Sequence, residues 1–248
     1  MIDWLILTLA AFGAGALNTV AGGGTFLTLP ALVFAGLPPV AANATATVAV
    51  FPGYAAGAAG FRAELRTFPR ARLLRLAAWT LAGGLGGSLL LLVSSDAAFS
   101  AVVPALLLAA TLAFLFGDRL RAWAAQRAAG GAGGTAGLVA VAIYGGYFNG
   151  GLGIVLLALF ALWGMDDIHR MNALKSLLSF VLSAISVLTF AAAGLVAWPE
   201  AAAMMAAATL GGYLGAPLAR RVPRSALRAL IAAVGFTMTG AFLWRLVA

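Results

Sequence analysis

Cysteine is absent from the 248 residues, so disulfides, thiolate ligands and thiol redox chemistry are excluded. Histidine and lysine occur once each, at His169 and Lys175. One imidazole without a thiolate cannot build a transition-metal cage, so no metal or cofactor is expected. No Ser/His/Asp, paired-carboxylate or phosphate-loop pattern stands at usable spacing, so no enzyme is expected. Charge is equally scarce. Only 9% of residues are Asp, Glu, Lys or Arg, against about 25% in a soluble domain, so the chain cannot cover a water-facing surface. The N-terminal run is preceded by Asp3 and by no basic residue, which argues against a cleavable signal peptide and keeps the first segment in the mature protein.

What is present is apolar. Hydrophobic residues make up 63% of the chain and mean hydropathy is +1.05. Stretches at 73–93, 97–116, 171–193, 199–218 and 224–246 approach or exceed the roughly 20 residues that cross a hydrocarbon core. The chain is therefore expected to be an all-α, multi-pass protein of a cytoplasmic membrane, with the lipid bilayer as its first partner. A net charge of +8 would suggest nucleic acid in a soluble protein. Here the cations gather in three short linkers: Arg62–Arg75, Arg119–Arg127 and Arg220–Arg228. Cytoplasmic loops have that distribution, so no nucleic-acid partner is expected.

The chain reads as two related halves. Residues 15–24 (GALNTVAGGG) and 146–153 (GYFNGGLG) are each followed by a short apolar run and a glycine, Gly36 or Gly164. Thr80–Leu89 matches Thr209–Leu218 at six of ten positions, and the offsets stay between 128 and 131. The halves are placed at 1–117 and 135–248, joined by an interfacial linker at 118–134. With the arginine clusters inside, segment 135–164 must start and end on one side. Its two apolar runs, like those of 4–36, are also too short to cross. A re-entrant helical hairpin satisfies length and charge; two short tilted spans give the same topology. Each half is then a broken hairpin plus three spans, about eight membrane elements in all. An odd count inserts the halves as inverted repeats, a recurring plan of secondary transporters whose interrupted segments mark the binding site.

Two constellations could carry chemistry. Asn18, Gly22, Gly23, Gly24 and Thr25 free the backbone from helical geometry, and Thr25 can cap the helix that follows. The exposed amides and the positive end of a helix dipole would suit an anion. Asn149, Gly150, Gly151 and Gly153 repeat the device, so two helix N-termini could clamp a small oxyanion. The bland alternative is close helix packing, the preferred account of Gly83/Gly87 and Gly212/Gly215. The second constellation is Asn172 and Lys175. An intramembrane lysine is usually functional; it could neutralise an anion or take part in proton coupling, or it could snorkel to the surface. Thr45 and Thr47 stand at the corresponding place in the first half and offer hydroxyls without charge. His169 reads as a loop residue.

Asn18-x-x-Ala-Gly22-Gly23-Gly24, with Gly36-Leu37-Pro38-Pro39, Ala41-Ala42-Asn43-Ala44-Thr45 and a weaker second copy ending at Lys175, resembles the TauE/SafE sulfite exporter family over essentially the whole chain. The family's pattern often has Thr-Asn-Lys where this chain has Thr45-Ala46-Thr47. The resemblance implies a transporter of the bacterial inner membrane exporting a small sulfur anion such as sulfite or sulfoacetate. A passive anion channel and a non-transporting membrane subunit are the rival classes. Glycine-rich faces would also permit a homodimer.

Overall fold

The computed structural model describes residues 2–20, 24–127, 134–219 and 224–247, and among these it is helical throughout apart from the connections. In chain order the helices are α1 (Ile2–Val20), α2 (Thr25–Phe34), α3 (Pro39–Gly60), α4 (Arg62–Leu65), α5 (Arg70–Leu92) and α6 (Asp96–Leu115). There follow α7 (Gly117–Gln126), α8 (Gly134–Tyr147), α9 (Leu152–Leu162), α10 (Ile168–Ala192), α11 (Trp198–Ala219) and α12 (Arg224–Val247). Among the described residues three are both long and apolar enough to cross a membrane: α5, α6 and α10.

Helix ends follow local chemistry. Gly36 and Gly164, the paired glycines of the two halves, both take a left-handed backbone, with φ of 93° and 77°. Each closes a helix in the same way: Leu37 N–H donates to the Leu32 carbonyl at 3.1 Å, and Met165 N–H to the Phe160 carbonyl at 3.0 Å. Pro38 and Pro39 then start α3, Ser95 caps α6 by accepting from the Ala98 amide, and Asp167 caps α10 by accepting from the His169 and Arg170 amides.

The α8–α9 segment is a hairpin that returns to the side it left. A Cβ on Gly134 would touch the Trp163 indole, one on Gly137 the Leu159 side chain, and one on Gly145 the Leu152 side chain, an antiparallel register from base to tip. Its return arm has 11 residues, about 16 Å of helix. That is well short of a hydrocarbon core of about 30 Å. In the first segment Gly13 meets Leu27, and Gly24 meets Ala14 and Asn18, so α1 and α2 also fold back on one another.

The principal packing pairs come as images of one another. α1 lies on α11 and α8 on α5; α3 lies on α11 and α10 on α5; α2 touches α12 and α9 touches α6. Two further pairs, α3–α10 and α6–α12, join equivalent helices of the two halves. Glycines make the closest seams. Gly15 faces the backbone of Ala208 and Gly212, Gly211 faces that of Phe12, Gly87 faces that of Ile143 and Tyr147, and Gly146 faces that of Gly84. The packing role expected of Gly83 and Gly87 is what these seams require. In the linker region α7 packs on α9, with Ala124 buried and the Arg127 guanidinium 4.2 Å over the Trp123 ring.

Burial runs opposite to that of a water-soluble helix. Along α5, Thr80, Gly83, Gly84, Gly87 and Ser88 are buried, whereas Leu81, Leu85, Leu89 and Leu90 face outward. In water an outward leucine row with polar groups inside would be unfavourable. In lipid the same arrangement matches the solvent, and small residues let backbones approach.

Candidate functional site

The first break lies between α1 and α2. Asn18 stays in the last turns of α1, and its side-chain carbonyl accepts the Gly24 amide at 2.8 Å, so the asparagine staples the two arms together. A Cβ on Gly24 would stand 2.6 Å from the Ala14 carbonyl oxygen and 2.7 Å from the Asn18 amide, which makes glycine obligatory at this approach. Thr25 is the first residue of α2, not its cap. Gly24 takes the capping position without any side-chain bond, because the incoming backbone is already held by Asn18. The Thr25 hydroxyl instead interacts with that of Tyr54 on α3. Gly22 and Gly23 lie outside the described residues.

The second break is built differently. Asn149 has φ of 59°, a left-handed backbone unusual for any residue but glycine, and Gly151 follows with φ of 68° as the cap of α9. Asn149 is only 2% exposed, and among the described residues both its side-chain oxygen and nitrogen are without a partner. The Gly153 amide, in the first turn of α9, makes no hydrogen bond among the described residues either. The carbonyls freed at the end of α8 are met by other helices. Asn43 of α3 donates to the Tyr147 carbonyl at 2.9 Å, and the Ser88 hydroxyl of α5, which donates to the Gly84 carbonyl of its own helix and pairs with the Ser186 hydroxyl of α10, both at 2.8 Å, lies 3.5 Å from the Gly146 carbonyl. The Tyr144 hydroxyl donates to the Gly150 carbonyl. The tip is thus saturated on its carbonyl side and left with free donors on its amide side.

The two helix N-termini stand at one depth. The Val40 amide donates to the Asp96 carboxylate at 2.9 Å, which aligns the starts of α3 and α6. Tyr54, which meets Thr25, is fourteen residues past Val40, and Ala110, which packs on Gly151, is fourteen past Asp96. Both lie about 21 Å along their helices. Phe26 packs edge-on against Phe114 at 6.4 Å, one turn from Ala110. The starts of α2 and α9 therefore converge on the same stretch of α6.

Lys175 reaches this level from the opposite direction. α10 is antiparallel to α3, with Phe51 stacked on Phe180 at 5.2 Å and Gly57 against Ser176. Lys175 is accordingly within about a turn of Tyr54 in depth. It is 9% exposed, and its ammonium donates to the neutral Asn172 side chain at 2.9 Å. Among the described residues it forms no ion pair; the one salt bridge joins Arg121 to Asp118. Burial speaks against snorkelling. His169 is exposed at the start of α10.

Thr45 and Thr47 do not join the breaks. The Thr45 hydroxyl accepts the Ala197 amide at 3.1 Å at the α10–α11 connection, and Thr47 donates back to the Asn43 carbonyl in its own helix. Ser176 stands beside Lys175 in the constellation read from the sequence, whereas Tyr54 and the serines at 179, 183 and 186 were not singled out. Serines 176, 179, 183 and 186 repeat at helical spacing down one face of α10, and among the described residues the hydroxyls of Ser179 and Ser183 are buried without partners. That spacing was the available signal.

Residues 7–242 match the family described as Sulfite exporter TauE/SafE. A "Probable membrane transporter protein" of Haemophilus influenzae is 30% identical over 244 residues, covering 96% of this chain and 94% of the relative. The "Probable membrane transporter protein YfcA" of Escherichia coli K12 is 28% identical over 246 residues, covering 96% and 89% respectively. No solved structure matches this chain. With its helices, its outward-facing leucines and a match spanning nearly its whole length, the chain is a membrane protein and belongs to the sulfite exporter TauE/SafE family.

Proposed function

We propose that the protein is a multi-pass secondary transporter of the bacterial cytoplasmic membrane that exports a small sulfur-containing anion, sulfite or an organosulfonate such as sulfoacetate. The observation that carries this reading is Lys175, a buried cation paired only with a neutral amide. Such a charge is unfavourable by several kcal/mol unless an anion joins it. Two helix N-termini at the same depth, each equivalent to about half a positive charge, add to the attraction. Asn18, Gly24 and Thr25, with Asn149, Gly150, Gly151 and Gly153, would bind the anion, with Gly22 and Gly23 completing the first tip; Lys175 and Asn172 supply charge and polarity. Thr45 and Thr47 act at a distance from it.

The two halves, 1–117 and 135–248, are inverted repeats, each a hairpin plus three spans (α3, α5, α6 and α10, α11, α12). Support comes from the packing pairs, which exchange into one another when the halves are swapped, and from the odd number of spans per half. Export is the favoured direction because a negative interior expels anions, by about 2.3 kcal/mol per charge per 100 mV. The family description, sulfite exporter TauE/SafE, supports the same direction, and the names of the relatives support membrane transport.

The test is uptake into proteoliposomes of sulfite, thiosulfate, sulfoacetate, taurine and chloride, with Lys175→Ala alongside. At least one sulfur anion is expected to be carried, and to be weakened about tenfold or more by the substitution. Uptake of cations without any anion would reject the substrate class.

A further inference from the structure

A second set of unspent donors lies away from the hairpin tips. The α9–α10 turn and the start of α5 enclose a cavity of about 220 Å³, lined among others by Phe68, Arg72, Trp163, Asp166, Asp167 and Arg170. It has room for about seven waters at roughly 30 Å³ each. It lies at the base of the α8–α9 hairpin, beside the Arg62–Arg75 cluster.

The Arg72 and Arg170 guanidinium carbons lie 5.9 and 4.7 Å from the centre of the Phe68 ring. A ring face holds a guanidinium through its plane and leaves the in-plane N–H donors available. Among the described residues the Arg170 Nε and Trp163 Nε1 groups are buried without partners, the indole nitrogen beside Gly134. Buried donors of this kind are normally satisfied. Neither arginine forms an ion pair among the described residues, although two carboxylates line the same cavity. Asp167 is committed to capping α10, and Asp166 is exposed. Arg72 and Arg170 are each the third residue of their helices, so the N-termini of α5 and α10 add positive potential.

We infer that this cavity is a separate binding site for a small oxyanion, such as a sulfonate, sulfite or phosphate group, at the cytoplasmic mouth of the protein. Arg72 and Arg170 are its donors, and the Trp163 ring lines it. Arg170 precedes Lys175 by five residues of α10, about 7.5 Å of helix. An anion held here is one short step from the buried lysine. Its role in loading the carrier rests on the proposed function; its affinity for anions does not.

The experiment uses the full chain labelled with 5-fluorotryptophan in phosphatidylcholine nanodiscs, read by 19F NMR. Trp163→Phe identifies one of six signals, and methanesulfonate is the probe. The Trp163 signal is expected to shift saturably, and Arg72→Gln and Arg170→Gln are each expected to weaken the titration about tenfold or more. The other tryptophan signals, unchanged, report that the variants fold. Lys175→Met should keep a saturable Trp163 titration. No saturable shift, or the same affinity in both arginine variants, overturns the site. Nanodiscs containing phosphatidylglycerol separate the sources: a Trp163 signal already at its saturated position identifies a lipid headgroup phosphate, and an unchanged titration identifies the soluble anion. A Trp163 response in a protein that carries no anion sinks the transport reading and keeps the cavity. Lys175-dependent transport without that response does the reverse.

Discussion

Replacing Lys175 by methionine keeps the length and most of the volume of the side chain and removes its charge. Two effects of opposite sign follow. A monovalent anion bound about one helical turn (5.4 Å) from the ammonium, at an effective dielectric constant near 20, is attracted by about 3 kcal/mol. Loss of that attraction weakens binding by about a hundredfold, and by at least tenfold after allowance for residual screening. The empty protein changes the other way. Its lysine is 9% exposed and hydrogen-bonded only to Asn172. An unpaired buried ion costs several kcal/mol. Recovering about 1–2 kcal/mol of it should raise the melting temperature by about 2–8 °C for a chain of this size. Thermal unfolding of the purified protein, with and without sulfite or methanesulfonate, measures both effects. Wild type should be stabilised by the transported anion, whereas Lys175→Met should start higher and gain less. A variant that melts lower than wild type, carries the anion as before, or is stabilised by it as much as wild type would refute the assignment of Lys175 as an uncompensated charge awaiting a ligand.

Three further outcomes are expected. Asn149→Gly should preserve folding, since glycine adopts the 59° φ freely, but should abolish uptake; Asn149→Ala should in addition lose about 1–2 kcal/mol of stability to backbone strain. If Asn149→Gly transports normally, the unpaired amide has no part in the site. Gly87→Val should separate α5 from α8 and destabilise by about 1–3 kcal/mol or more, whereas Gly240→Ala, which meets open space, should be neutral or stabilising by up to about 1 kcal/mol; equal melting temperatures would remove the seam from the account. Because the chain has no cysteine of its own, introduced cysteines map sidedness cleanly: Thr135→Cys and Asp166→Cys should react from the cytoplasmic side and Ala97→Cys from the other. Opposite sidedness of the first two would exclude a re-entrant α8–α9.

The breaks, the turning glycines and the packing glycines were legible because each depends on residues that only one local geometry tolerates. Gly36 and Gly164 close two helices alike, and a repeat offset alone was enough to pair them. The different uses of Asn18 and Asn149 were not legible. Both follow the same sequence device, yet one bonds across its break while the other lies in a left-handed backbone with its amide unspent. Which of these occurs depends on the neighbouring α3, α5 and α10, whose contacts with the break come from residues remote in the chain, 104 and 58 positions away for Asn43 and Ser88. The same distance hid Tyr54 and explains Thr45, whose hydroxyl is taken by an amide 152 residues later. Thr25 as a cap was a reasonable local expectation, displaced by a bond formed six residues upstream.

The seam between α1 and α11 sets an order of events during synthesis. Gly15 needs the backbone of Ala208 and Gly212, while its counterpart in the second half, α8, is made after its own partner α5. At about 5–20 residues per second, roughly 10–40 s separate the appearance of α1 from that of α11. The first hairpin must wait in the membrane with its glycine groove uncovered, and the second docks on emergence. The two hairpins thus have unequal nascent lifetimes, and the earlier one is where an insertion chaperone or a protease would find its target.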